Sequence, residues 1–219
     1  YKDSILNVKS DRDISNLVNE TIISKRQELE GYILKHPEFR TSFEPISVGK
    51  DSPEIVKTLS DAGKKAGIGP MAAVAGTVSE AVVKAAVDSG VDWIIAENGG
   101  DICVYGDREF NFLIYAGKSQ LSNKIGFSLN PGRETYGICT SSGSVGHSIS
   151  LGKSDSVTVF AEKTPVADAF ATAIGNRVDT IQNGLDFAKD FVKQEIDGVI
   201  IIKGTEIGKM GKLPKFFSL

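Results

Sequence analysis

The run Gly137-Ile138-Cys139-Thr140-Ser141-Ser142-Gly143-Ser144-Val145-Gly146-His147, with its continuation to Asn176, SISLGKSDSVTVFAEKTPVADAFATAIGN, decides how this chain is read. It holds a loop of small hydroxyl residues and glycines around a histidine, a β-branched run from Ser156 to Ala161, and a helix start. Loops of Ser, Thr and Gly let backbone N–H groups and hydroxyls come close to an anion, because no bulky substituent at Cβ holds the ligand away. Thr164 is placed to cap the helix, and Pro165 suits its first position, where a missing N–H costs nothing. Asp168 and Thr172 then lie four residues apart on one helical face. A carboxylate and a hydroxyl so placed form a hard-oxygen pair suited to Mg²⁺ or Ca²⁺. An aspartate early in a helix also serves simply to offset the helix dipole. Two oxygens fall well short of the roughly six that such ions take, so the pair needs further ligands from elsewhere in the chain.

Working outward, a chain of 219 residues with 41% hydrophobic and 24% charged side chains suffices for one large core or two small ones. A formal net charge of -3, with only short basic clusters at Lys64–Lys65 and at Lys209, Lys212 and Lys215, argues against nucleic acid as a partner. The two cysteines, Cys103 and Cys139, have no CxxC spacing; they fit a reducing compartment and exclude a cysteine zinc site. Two histidines, His36 and His147, do not support a histidine metal centre. No apolar run approaches the roughly 18 residues of a membrane span, and no signal peptide is visible. The first residue is Tyr1, which leaves room for a lost leader. The expected place is the cytoplasm, with a small-molecule ligand as partner and neither membrane nor nucleic acid.

In chain order, a short edge strand falls within residues 1–9, followed by a helix from about Ile14 to Lys35 that His36-Pro37 ends. A helix over Ser52–Ala66 is expected to start on a Ser52 cap with Pro53 and to stop at Gly67. The next helix is predicted over Pro70–Ser89. Gly67-Ile68-Gly69-Pro70-Met71-Ala72 matches GxGxxA, but a dinucleotide fingerprint follows a strand, and the preceding residues read as helix. Two readings of Gly69 remain: it brings a helix N-terminus close to an anionic or polar ligand, or it serves a tight helix contact.

A buried strand Val91–Ala96 ends on Glu97-Asn98-Gly99-Gly100-Asp101. Paired glycines between strands read as a hairpin turn. The turn itself needs no carboxylates, so Glu97 and Asp101 beside exposed backbone also mark a ligand site. Strands follow at Ile102–Tyr105, Glu109–Ala116 and Lys124–Leu129, and Tyr136–Thr140 leads into the hydroxyl loop. Beyond Asn176 a helix is predicted from about Thr180 to Glu195, then a buried strand Gly198–Ile202, a turn over Gly204–Gly211, and a closing sheet edge at Leu213–Leu219. The second half repeats the first in outline: a proline-started helix, a buried strand and a glycine turn. This predicts one domain over 1–219 built of two loosely repeated α+β units without a linker.

The order and wording of these segments resemble the ApbE-like superfamily, whose founding members are Mg²⁺-dependent flavin transferases that move FMN from FAD onto a protein threonine. The similarity spans roughly Gly67–Asn176 and is clearest in GPMAAVAG, ENGGDI, CTSSGSVGHS, and SVTVFA followed by VADAFATAIGN. The last resembles the family's ADAxATA signature, implying Asp168 and Thr172 as metal ligands. ENGGDI resembles the strand-ending double glycine with its acidic neighbour, implying Glu97, Asn98, Gly99, Gly100 and Asp101 near flavin or metal. Thr140, Ser141, Ser142 and Gly143 resemble the TSG loop beside the nucleotide. The whole chain, with HPEF and its GxxxGKMG turn, is more similar still to a small, mainly prokaryotic subfamily of uncharacterised ApbE-like proteins. The resemblance implies a duplicated T-fold of the α+β class, mostly antiparallel sheets with helices packed on them, and by analogy a homodimer.

Two departures bear on function. The transferases enter the first helix on a lysine-glycine-aromatic sequence, where this chain has Gly67-Ile68-Gly69-Pro70, and they follow the TSG loop with a histidine leading to Ile-Asp-Pro, where His147 precedes Ser148-Ile149-Ser150. The expected function is a Mg²⁺-dependent transferase or hydrolase acting on FAD, FMN or another phosphorylated metabolite, with His147 or Asp101 as general base. The other reading of His147, favoured over the base, is a histidine satisfied by the hydroxyls of its own loop. The competing function is a non-catalytic protein that keeps the cleft for a flavin or other small ligand. A serine-hydrolase reading fails because SSGSVG does not place a serine as GxSxG requires.

Overall fold

In the computed structural model, which describes residues 5–142 and 154–219, the chain opens with strand β1 (Leu6–Ser10) and helix α1 (Ser15–Ile33). A single turn α2 (Glu38–Thr41) and helix α3 (Glu54–Ala66) follow. A 3-10 turn over Pro70–Ala73 then leads into α4 (Val74–Asp88) and the hairpin β2 (Ile94–Asn98) and β3 (Asp101–Gly106). Next come β4 (Phe110–Leu113), β5 (Ile125–Leu129), the long β6 (Gly132–Ser141), β7 (Ser156–Ala161) and α5 (Thr164–Gly175). Helix α6 (Ile181–Ala188), the hairpin β8 (Gly198–Lys203) and β9 (Glu206–Gly211), and β10 (Lys215–Ser218) complete the chain.

Seven strands form one sheet in the order β1-β2-β3-β6-β7-β8-β9, and β10-β5-β4 form a second; every pairing is antiparallel. Strand β7 lies inside the large sheet between β6 and β8 and is buried at all six positions, its polar Ser156 and Thr158 included. Its Val157 and Val159 face α5 and join the core built on Phe170, Ile174 and Leu59. Its Phe160 faces the other way, into a cluster with Phe127, Ile138 and Ile200 under the small sheet. The layers are therefore small sheet, large sheet, then helices α4 and α5, with α1 and α3 packed outside them.

Several local expectations change. Ser52 does not cap α3; Pro53 occupies the N-cap position, and the helix stops as expected on Gly67 in the left-handed region (φ 67°). The helix expected over Pro70–Ser89 begins as a 3-10 turn, so α4 proper starts at Val74. The strand expected at Val91 begins at Ile94 and runs on to Asn98, and that expected over Glu109–Ala116 is confined to Phe110–Leu113. Thr140 and Ser141, read as loop, are the last residues of β6. Helix α6 ends at Ala188, because the chain folds back so that the Lys193 N–H donates to the Ile196 carbonyl at 2.8 Å. The turn expected over Gly204–Gly211 is a strand, β9, paired with β8 along its length. The C-terminal strand does not close the large sheet; β10 pairs with β5 in the small one.

The stretch Pro70–Asp88, with a mean hydropathy of 1.3, has the length and composition to cross a membrane. More than half of it, 56%, is buried inside the fold, against α1, α5, β2 and β3. It is a core helix here.

Candidate functional site

The site is built at the first turns of α4 and α5, over the hairpin between β2 and β3. Gly99 (φ 66°) and Gly100 (φ 104°) both take left-handed backbone, as a two-residue hairpin requires, and they set Asn98 opposite Asp101. Three contacts hold this bend. The Thr140 N–H donates to the Gly100 carbonyl at 3.2 Å, the Ser79 hydroxyl to the Asp101 carbonyl at 2.9 Å, and the Asn98 amide to the Ala75 carbonyl at 3.4 Å. The bend is thus tied to β6 on one side and to α4 on the other. Asp101 stands opposite Cys139 in the β3–β6 register.

Asp168 enters from α5. It is 6% exposed, and its Oδ2 accepts the Gly76 N–H of α4 at 2.8 Å. Gly76 has no room for a side chain: a Cβ there would lie 2.8 Å from the Asp168 Cβ and 2.9 Å from the Thr164 carbonyl oxygen. Asp168 and Asp101 are close enough to repel. Loss of water is the main cause that pushes the Asp101 carboxyl well above the usual range, and the charge of Asp168 is the second. Burial likewise lifts Asp168 to about 7, against the opposing pull of the Gly76 N–H. Among the described residues, no positive side chain is a main influence on either carboxylate. Glu97, half-buried one strand residue before the bend pair, adds a third negative charge felt by Asp101. The neighbouring thiols are inert: burial holds Cys103 at about 12 and, with the two aspartates, raises Cys139 as well.

Thr172 sits one turn beyond Asp168 on α5 and is half-buried. The hydroxyls of the β6 end turn toward β7: Thr140 Oγ1 lies 2.9 Å from Thr158 Oγ1, and the Ser142 hydroxyl donates to the Asp155 carbonyl at 2.7 Å. Ser141 is buried in register with Val157. Gly143 and His147 lie outside the described residues. Gly69 stands apart from this group: a Cβ there would lie 1.9 Å from the Ser42 carbonyl oxygen, so it packs against the Ser42–Phe43 backbone. The part of that segment which reaches the site is Ala75, Gly76 and Ser79. Ala75 and Gly76 close the GPMAAVAG motif.

Nor does Thr164 cap α5. Lys163 holds the N-cap position without a side-chain bond, and the Thr164 N–H donates instead to Glu80 Oε2 of α4 at 2.8 Å. Glu80 is itself 6% exposed, and its other oxygen accepts from Lys84. On this different face of α4 lies a groove of about 510 Å³ between α1, α3 and α4, bordered by Thr77, Glu80, Lys84 and Pro165 and lined by none of the candidate site residues.

No group of three or more His, Cys, Asp or Glu side chains converges on a metal position among the described residues. The donors this region offers are the Asp101 and Asp168 carboxylates and, one turn further along α5, the Thr172 hydroxyl, all hard oxygens. That set fits Mg²⁺, which keeps several waters and is bound by one or two carboxylates together with phosphate oxygens.

Residues 2–189 match the family model described as AbpE bacteria. A UPF0280 protein of Methanococcus aeolicus is 48% identical over 96% of this chain and 87% of its own length. One from Methanocaldococcus jannaschii is 41% identical over 97% and 88%. Among solved structures, the flavin transferase ApbE from Vibrio cholerae superposes with a TM-score of 0.62 at 14% identity, covering 94% of this chain and 93% of that one. The apo flavinyl transferase ApbE of Pseudomonas stutzeri gives 0.55 at 12%, covering 95% of each. The mixed helical and antiparallel fold is that of the ApbE flavin transferases.

Proposed function

Because this chain belongs to the AbpE bacteria family and aligns with UPF0280 proteins over nearly all of its length, we propose that it is a Mg²⁺-dependent enzyme acting on FAD, FMN or another phosphorylated metabolite. The observation that carries the reading is the pair Asp101 and Asp168, two carboxylates desolvated together with no positive side chain among the described residues as a main influence on either. Burying like charges side by side is costly, and a cation supplied from outside removes that cost. In this reading Asp168 and Thr172 hold the ion. The chemistry such an ion would supply there is charge neutralisation at a pyrophosphate and at its phosphate leaving group.

The chain's own residues do the rest. The Gly99–Gly100 bend presents bare backbone where a flat or anionic ligand can lie close. Asp101, in its ionised form, would accept the proton of a hydroxyl nucleophile; His147 is the other candidate base. Thr140, Ser141 and Ser142, with Gly143, border the ligand at the end of β6, and Glu97 and Asn98 flank the bend. Gly69, packed on the Ser42–Phe43 backbone, has no part in this reading. A cytoplasmic place and a homodimer belong to the same reading, the first supported by two free, buried thiols.

The test is to incubate the full chain with FAD and Mg²⁺ and follow retained flavin absorbance together with release of FMN and AMP. Mg²⁺-dependent release that Asp168→Asn abolishes is the expected result. Flavin held without turnover selects the non-catalytic binding protein, and neither binding nor release overturns the flavin assignment.

A further inference from the structure

Helices α4 and α5 exchange hydrogen bonds reciprocally. Asp168 of α5 accepts the Gly76 N–H in the first turn of α4, while Glu80 of α4 accepts the Thr164 N–H that begins α5. The donors are first-turn amides in both helices, and each acceptor lies four residues beyond the donor of its own helix. The two helices therefore cross antiparallel, each satisfying the other's N-terminal amide with a carboxylate. Nothing local does the job for α5: Lys163 offers no side-chain cap and Pro165 has no N–H. The crossing is close, since the Gly76 Cα approaches Asp168 so nearly that no Cβ would fit between them. A small slide of α5 along α4 would be felt first at the Asp168 carboxylate.

We propose that Glu80 is a positioning residue for Asp168: by fixing where α5 begins against α4, it delivers the Asp168 carboxylate to the Gly76 N–H and so sets that carboxylate's affinity for a divalent cation. The cation part rests on the function proposed above; the positioning part does not. Glu80 makes no contact with the ion or the substrate. Its effect passes through the helix.

Two measurements on the full chain test this, with Glu80→Ala to remove the acceptor and Glu80→Gln to keep an acceptor oxygen of the same shape. In metal-free protein, amide hydrogen exchange at Gly76, four residues from the substitution and bonded to a different carboxylate, quickens about tenfold in Glu80→Ala relative to Val83 and Ala86, and stays within about threefold in Glu80→Gln. Binding of Mg²⁺ alone, by calorimetry well below the melting temperature, weakens about tenfold in Glu80→Ala and is largely restored in Glu80→Gln, as for other residues that orient a metal ligand without touching the metal. Faster exchange confined to Thr164, with Gly76 unchanged, reduces Glu80 to a helix cap and overturns the proposal, as does a Glu80→Gln variant no better than Glu80→Ala. Wild-type protein that binds no Mg²⁺ overturns the functional reading, and the Gly76 amide then decides the positioning role by itself.

Discussion

At one end of the α4–α5 crossing a buried carboxylate meets a lysine; at the other a buried carboxylate meets a second carboxylate. Glu80 is hydrogen-bonded to the Thr164 N–H and paired with Lys84 one turn on, so the chain supplies every partner it needs. Asp168 has the matching N–H from Gly76, but the residue one turn on is the neutral Thr172, and its charged neighbour is Asp101. Two ends with the same hydrogen-bond geometry thus differ by about two unit charges, a lysine beside one acid and a second aspartate beside the other. The Glu80 end is complete in the polypeptide. In the function proposed above, the Asp168 end is completed by a bound cation.

Asp168→Asn breaks this difference at its source and carries the largest effect. The amide oxygen still accepts the Gly76 N–H, so the helices keep their crossing, while the charge that attracts a cation is gone. Calorimetric Mg²⁺ affinity should fall at least about a hundredfold. In metal-free buffer near pH 8 the same variant should melt higher than wild type, by roughly 2 kcal/mol of stability, because it no longer buries a charge next to Asp101. Loss of binding together with loss of stability would mean that Asp168 is a structural residue.

Gly76→Ala attacks the shared geometry. The new methyl would meet Asp168 Cβ at 2.8 Å and the Thr164 carbonyl oxygen at 2.9 Å, neither of them the far end of a flexible side chain. Overpacking of this kind costs about 1–3 kcal/mol. Both ends of the crossing should loosen, with amide exchange rising at Thr164 as well as at residue 76. A variant as stable as wild type would show that the helices are not held at this separation.

Dependence on pH comes next in size and has a fixed sign. Asp168 binds its proton up to about 7 in the folded chain, against an ordinary value of 3.8. Between roughly those limits the folded state holds more protons than the unfolded, so stability is greatest on the acid side and is lost as the pH rises through about 7. Asp101 is raised in the same direction. Metal-free wild type should therefore melt several degrees lower at pH 8 than at pH 5 after subtraction of the Asp168→Asn profile, which removes the other titrating groups. Saturating Mg²⁺ should cancel the difference, since the ion binds the ionised form. A difference profile that is flat without metal would deny the repulsion on which the comparison stands.

How much of this was legible in the sequence follows from how local each feature is. Pro165 and the Ser156–Ala161 run placed α5 and β7 because helix starts and buried strands are written in neighbouring residues. The Gly99-Gly100 pair gave the hairpin for the same reason, and with Asp101 and Asp168 it gave the core of the candidate site. Glycine misled where its cause was packing. Gly208 sits within β9 because a Cβ there would fall 2.2 Å from Ile181 Cγ2 of α6, yet beside Gly204 and Gly211 it reads as part of a turn. Phe191 and Val192 continued the apolar spacing of α6 but pack from a turn after Ala188. Glu80 gave no signal at all. Its partner, Thr164, is distant in the chain, and an acid in mid-helix looks like any solvated one until the fold buries it.

The smallest expected effect is the most discriminating. Lys84 is largely exposed, so Lys84→Thr should cost no more than about 1 kcal/mol despite the burial of Glu80. It also gives the Glu80 end the composition of its counterpart, an acid with a threonine four residues later. If the missing positive charge is what separates the two ends, Lys84→Thr combined with Asp168→Asn should acquire a weak dependence of its melting temperature on millimolar Mg²⁺, which Asp168→Asn alone lacks. A double variant indifferent to Mg²⁺ would show that the Asp168 end owes its character to Asp101 and the glycine bend rather than to the absence of a lysine. The cation site would then be a property of the hairpin as much as of the helix.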